Sequence, residues 1–465
     1  MLLAGVGATG LALALISLRH RRWRQQHAAK LANLIKLDLL PGDKSFAICQ
    51  SAPTSTATFF TGDTAAAQQY FSKRVAEIVS ANPWLASVLD RDPGSGAMAV
   101  YYPPPGADAD AAARGCFEVR GDIALSRGST PSTYIKTVAA LAPALCKTSI
   151  RSVGSGTPLW RVCVVPDAHD PGGRFALVVS ANHSLLDGHG YYAVYNMLCA
   201  KADVRALSPV RKQELTAKML QAMGGEPSLL QAAPMGFMLR FIGGGIWNAI
   251  FPATCALGFH VSDAWVGAQK AAAKEAAATL KVGSGSAATA APFVSTNDVL
   301  VSAFCVALRP TLATMAINLR GRVQGCEEGD VGNYEDVISF APADYSSPLL
   351  IRKSVAGGDG RPYARAADPP TRMPTNWEHV RGATYAAITN WATFAGALTV
   401  PGAEQSLHLP LFDFPATTPA KVFGAMVIFR PGAGKGTAVL VAGTRQLIEA
   451  VEASGMVGRP LEMEM

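Results

Sequence analysis

The stretch "RFALVVSA", residues 174–181, followed at once by "NHSLLDGHGYY", constrains this chain more than any other. From Phe175 onward the run is apolar on both faces of an extended chain, so it fits only as an interior strand of a covered sheet. A second strand candidate, "PLWRVCVV", precedes it across the turn-rich "PDAHDPGG". After the run, two histidines and an aspartate crowd into residues 183–189, and Tyr191, Val194, Tyr195 and Leu198 then resume helical spacing. His183 to Gly190 therefore reads as a strand-to-helix turn, with Asp187-Gly188 supplying the turn chemistry. A histidine at the C-terminal end of such a strand sits where clefts form, and the strand holds it rigid.

At 465 residues the chain exceeds one ordinary core, and two lobes are expected. In the first half, Phe71, Val75, Ile78 and Val79 lie at helical spacing between an Asp63 or Thr64 cap and the Asn82-Pro83 stop. Strands are expected at "AMAVYY" and "CFEVRGDIAL", and a helix through "STYIKTVAALAPAL". The second half opens with a capped helix, "STNDVLVSAFCVAL", and a strand, "TMAINLRGRV". It closes with a hairpin, "AKVFGAMVIFRP" to "GTAVLVAG", and a final helix, "TRQLIEAVEAS". Between the halves, residues 233–260 carry one charge, Arg240, and are broken by a glycine triplet and Pro252. That segment reads equally as lobe packing or as a membrane-dipping element.

The net charge of +7 owes much to one cluster, "RHRRWR" at 19–24, and no basic stripe interleaved with aromatics is present. A nucleic-acid partner is therefore not expected. Eight cysteines without a C-x-x-C pair read as buried thiols in a reducing compartment. Leu2 to Leu18 is an uncharged apolar run followed by the basic cluster, an arrangement that fits an uncleaved membrane anchor with the body in the cytosol, at the endoplasmic reticulum. A signal or transit peptide stays open. "GVGATG" at 5–10 has no strand before it and no acidic residue before Asp38, so it is not a dinucleotide fingerprint. "PGAGKGT" has Phe429 where a phosphate loop needs glycine.

Three readings of the 183–189 turn compete. In the first, His183 satisfies a backbone carbonyl and Asp187 caps the following helix. In the second, His183, Asp187 and His189 form a two-histidine, one-carboxylate metal set. In the third, His183 is a general base and Asp187 holds its loop.

"HSLLDGHG" resembles the H-x-x-x-D-G motif of the acyltransferase superfamily that includes chloramphenicol acetyltransferase, condensation domains, wax ester synthases and the plant BAHD enzymes. Further agreement follows in order: "NPWLASVL", "PLWRV", "FVSTNDVLVSAF", "INLRGRV", "VGN" at 331–333, "TNW" at 389–391 and "FDF" at 412–414. Asn182 before the base leans toward the BAHD side, whereas the D-F-G-W-G signature survives only as "DFP". The resemblance implies an α/β fold of two similar mixed-sheet lobes with a channel between them. With the membrane anchor and basic cluster at 1–36, the first lobe is expected at 37–205, a crossover at 206–290 and the second lobe at 291–465. His183 faces the channel as general base, and Asp187 turns away to pair with Arg320, or failing that Arg322. Thr389 is the candidate oxyanion donor and Trp391 a channel wall, with ordinary strand packing the alternative for both, and Gly188 and Asn297 are substrate-binding positions.

The expected activity is transfer of an acyl group from acyl-coenzyme A to a hydroxyl, less readily an amine, of a small lipophilic alcohol. It needs no bound cofactor or metal and is carried out by a monomer at a membrane. Transfer from a carrier-protein thioester, or a catalytically silent scaffold member of the fold, are the alternatives.

Overall fold

The computed structural model describes residues 28–106, 109–284, 293–356, 373–413 and 419–463. The apolar run at 2–18 and the basic cluster at 19–24 lie outside them. Two large mixed sheets carry the architecture, with strands numbered in chain order. Among the described residues one sheet has the order β12 (Ala403–Leu411), β2 (Thr54–Gly62), β7 (Arg174–Ala181), β6 (Trp160–Pro166), β5 (Phe117–Val119). The other runs β10 (Glu335–Phe340), β9 (Leu312–Asn318), β11 (Tyr385–Asn390), β13 (Phe423–Phe429), β14 (Ala438–Gly443), β8 (Cys255–Val261), β15 (Val457–Pro460). A small antiparallel sheet of β1 (Ile35–Asp38), β4 (Met98–Tyr102) and β3 (Val88–Arg91) stands beside them.

β7 lies between β2 and β6, antiparallel to both, and Phe175 through Ala181 are all fully buried. The two-sided apolar run is thus the centre of its sheet. The helix Thr64–Ala81 starts on Asp63, which accepts the Ala66 N–H, and buries Phe71, Val75, Ile78 and Val79. Each such side chain stabilises the lobe by roughly 1.5–3 kcal/mol relative to exposure. The second lobe has its own core, in which Phe304, Met426 and Val441 meet.

Sheet membership does not follow chain order. β12, from the second half, pairs with β2 and so completes the first sheet, while β8, from the crossover, is interior to the second. Two sequence assignments shorten. "CFEVRGDIAL" contributes only Phe117–Val119, between the helix that ends at Cys116 and the turn at Gly121-Asp122. "TMAINLRGRV" is extended only to Asn318, and Arg320 lies in the turn beyond.

The glycine triplet does not break its segment as expected: one helix runs from Met235 to Ile250. Packing explains this, since a Cβ on Gly244 would lie 2.6 Å from Val422 Cγ2, and one on Gly236 would lie 2.1 Å from the Asn376 carbonyl oxygen. The glycines let the helix seat closely against its neighbours. Its outer face, with Leu239, Ile242, Ile246, Trp247 and Ile250, is exposed. No helix among the described residues is long and apolar enough to cross a membrane.

Candidate active site

The strand β7 ends at Ala181, and Asn182 pins the turn that follows. Its side-chain oxygen accepts from the Ser184 N–H and the Ser149 hydroxyl, its amide donates to the Lys147 carbonyl, and its own N–H donates to Leu159 O at 2.7 Å. Asp187 then caps the helix Gly188–Tyr195 by accepting the Gly190 N–H at 2.8 Å. Between these two anchors His183 projects out of the first sheet toward the second.

The orientation of His183 follows from its neighbour. Asn333 Nδ2 donates to Asp43 Oδ1 at 2.8 Å and to the His183 carbonyl at 2.7 Å. Both partners only accept, so Asn333 must turn its oxygen to His183 Nδ1, 3.1 Å away. Nδ1 therefore carries the proton and Nε2 is the bare nitrogen. Burial holds the imidazole below its ordinary pKa of 6.5, against opposing contributions from its own backbone, Asp187, Asn333 and Asp43. This favours the neutral imidazole, with Nε2 as its basic nitrogen.

Nε2 opens onto a cavity of about 280 Å³ lined from both lobes: Thr54 and Gly188 with the first, Thr314, Glu335 and Thr389 with the second, and apolar side chains for most of the rest. His183 is neither walled in nor turned outward; its side chain keeps 19% of its accessible surface. Glu335, the first residue of β10, places Oε1 3.7 Å from Nε2. Burial, reinforced by nearby Asp187, pushes its carboxyl up to about 8, with Arg320 opposing.

Asp187 turns away from the cavity. Its Oδ2 accepts from Arg320 Nη1 at 2.7 Å and from the Tyr334 N–H at 3.1 Å, and the ion pair is essentially without solvent exposure. Arg320 also donates to the Asp330 and Gly332 carbonyls and to Asn318 Oδ1, so it staples the second lobe to the turn that carries the base. Arg322 is on the surface.

Thr389 and Trp391 both line the cavity, Thr389 on β11 and Trp391 just after it. The Trp391 ring packs against Tyr192 and Phe412 and closes over Gly188, where an added Cβ would meet Trp391 Nε1 at 3.1 Å. Asn297 corrects the sequence reading. It is absent from the cavity lining and instead accepts from Asn390 Nδ2 at 2.9 Å, so it braces the strand end behind the site. The helix that carries it packs on the far side of the second sheet, which takes its side chain away from the channel. The metal set does not assemble: Asp187 is committed to Arg320, and His189 Nε2 meets the Glu328 carbonyl at 3.1 Å and its carboxylate at 3.3 Å.

Sequence reading missed Glu335, Asp43 and Arg211, and noted Asn333 only within "VGN". Asp43 is fully buried and accepts from Arg211 Nε at 2.9 Å, the Leu40 N–H and Asn333. Arg211 in turn donates to Leu185 O at 2.8 Å and to Val331 O. These residues are scattered over nearly 300 positions, and no local pattern marks them. The one available signal was a charged pair, Glu335-Asp336, at the start of a mostly apolar strand.

Comparison with solved structures matches nearly the whole chain. It is similar to TRI3, the trichothecene 15-O-acetyltransferase from Fusarium sporotrichioides, with 9% identity over 91% of this chain and 95% of that one and a TM-score of 0.54. It is also similar to F. graminearum TRI101 complexed with coenzyme A and T-2 mycotoxin, with 14% identity, 90% and 97% coverage and a TM-score of 0.52. The first condensation domain of the CDA synthetase matches at 12% identity, 92% and 99% coverage and a TM-score of 0.50.

The fold is the one these acetyltransferase and condensation-domain structures share.

No family model matches the chain, and no curated protein sequence does.

Proposed function

We propose that the chain is an acyltransferase that moves an acyl group from a coenzyme A thioester to a hydroxyl of a lipophilic alcohol, with His183 as general base. The observation that carries this reading is His183 Nε2, bare and rigidly held, opening into an apolar cavity shared by both lobes. Support also comes from the likeness to TRI101, complexed with coenzyme A, and to TRI3, named as an O-acetyltransferase.

In this reading Nε2 takes the acceptor's proton as its oxygen attacks the thioester carbonyl, and base catalysis contributes roughly 10²- to 10⁴-fold. The tetrahedral oxyanion is met by the Thr389 hydroxyl, and Trp391 with Phe412 fixes the acceptor's position. The apolar lining favours a lipophilic acceptor or acyl chain. The exposed apolar face of Met235–Ile250, whose Phe237 and Phe241 line the same cavity, supports action at a membrane surface. The run at 2–18 would serve there as anchor.

The test is a panel of acyl-coenzyme A donors against alcohols and amines with the purified chain. Transfer that is lost in His183→Ala and retained after chelation is the expected result. Transfer only from carrier-protein thioesters would move the enzyme to the condensation type. A wild-type chain and a His183→Ala variant equally inert toward every donor would reduce it to a binding member of the fold.

A further inference from the structure

We propose that Glu335 is a second catalytic group, the general acid that protonates the departing thiolate while His183 acts as base on the acceptor. This rests on the acyl-transfer reading above and goes beyond it in assigning two proton carriers to the site.

The geometry is specific. His183 and Glu335 are the only titratable side chains among the described residues that line the cavity. They come from opposite lobes, His183 from the turn after β7 and Glu335 from the start of β10, and meet at 3.7 Å. Nε2 is the nitrogen that must touch the attacking oxygen, so a carboxyl beside it reaches the same tetrahedral carbon. The titratable group that carboxyl meets within 4 Å is His183, at 3.7 Å. The groups around it are Asp187 on the His183 turn, Arg320 beyond β9, Asp336 next in sequence and Asp43 behind Asn333. Three of those four are carboxylates, and together with burial they favour the protonated form of Glu335. An acid titrating near 8 is well matched to a thiolate, whose parent thiol titrates near 8.5 in the simplest case.

The proton balance closes within the pair. The acceptor O–H breaks, its proton goes to Nε2 and the new C–O bond forms. As the tetrahedral intermediate collapses, the C–S bond breaks and the Glu335 O–H proton goes to sulfur, which leaves as free thiol. The site then holds an imidazolium beside a carboxylate, and transfer of that proton from Nε2 to Glu335 restores the starting state. Nothing is exchanged with bulk water, which suits a cavity lined mostly by apolar side chains.

The experiment compares acyl donors whose leaving thiols differ in basicity: an acyl-coenzyme A and the thiophenyl ester of the same acid, with one alcohol acceptor. Glu335→Gln is expected to lower kcat on the coenzyme A ester by about 10²-fold or more, and on the thiophenyl ester by less than about tenfold, because a good leaving group needs no acid. Wild-type activity on the coenzyme A ester is expected to fall as pH rises past about 8, where the acid form is lost, and Glu335→Gln to lack that limb. Equal losses on both esters, or an unchanged alkaline limb, overturn the assignment. Where Glu335→Gln is poorly folded by its urea midpoint, Glu335→Asp gives the same comparison, and an alkaline limb that does not move with that change counts against the proposal. A wild-type chain that transfers from neither ester fails the acyl-transfer reading itself, an outcome distinct from a wild type that is active and a variant uniformly impaired.

Discussion

Replacing Asp187 by Asn keeps the side chain's shape and removes one charge from the buried pair with Arg320. The structure fixes what is lost. Oδ2 accepts from Arg320 Nη1 and Tyr334 N, and Oδ1 from Gly190 N, so either orientation of the new amide turns a donor toward a donor. Arg320, without side-chain exposure, is left with carbonyl and amide oxygens as its remaining acceptors. Stranding a buried charge in this way costs about 3–5 kcal/mol. A loss of about 4 kcal/mol is nearly a thousandfold in the folded-to-unfolded ratio. Urea unfolding followed by tryptophan emission measures it. The double variant Asp187→Asn with Arg320→Met removes the stranded cation, and its cost should fall short of the sum of the single changes by at least about 2 kcal/mol. A cost under about 1 kcal/mol for Asp187→Asn, or a cycle additive to within about 0.5 kcal/mol, refutes the view of this pair as the staple between the lobes.

Other consequences are as direct. Because burial holds His183 below 6.5 and the base must be unprotonated, the pH profile of kcat/KM should fall toward acid with an apparent pKa under 6.5; an acid limb above 7 would contradict the assignment. Gly188→Ala should displace Trp391 and lower kcat/KM for bulky acceptors about tenfold, with a smaller effect on the shortest alcohols, an overpacking cost of roughly 1–3 kcal/mol borne by the site. His408, buried against Thr58, Tyr192 and Tyr195, is held down to about 3, below the unfolded value near 6.5. Its contribution is therefore complete above about pH 6.5 and lost as pH falls below it, at up to about 1.4 kcal/mol per pH unit, and His408→Gln should flatten stability against pH between 6 and 4. Ile242→Asp with Ile246→Asp should impair transfer to an alcohol embedded in anionic vesicles while sparing a water-soluble one; equal effects on both would count against a membrane-facing helix.

The site was legible in sequence where its parts are adjacent. The two-sided apolar run, the turn after it and the cap on Asp187 are local consequences of residues 174–195, and the structure realises them with the helix beginning at Gly188, inside the expected 183–190 turn. Assignments failed where contacts were distant. Asn297 has the right residue type but sits on the wrong side of β11. Arg320 is recognisable from "NLRGRV", yet that it lies in a turn and not a strand depends on pairing with β10. Glu335 carried no signal beyond its charge beside Asp336, because its chemistry is created by burial and by a histidine 152 positions earlier.

The order of side chains along the chain thus determined that an interior strand ends in a histidine-bearing turn, where the helices begin, and which faces are apolar, since these depend on periodicity and caps within a few residues. Tertiary structure alone decided that β12 crosses to the first sheet, that Asn333 fixes the imidazole tautomer, and that Glu335 stands beside Nε2. Such outcomes turn on desolvation and on hydrogen bonds between segments far apart in the chain, and neither is encoded in any short stretch of sequence.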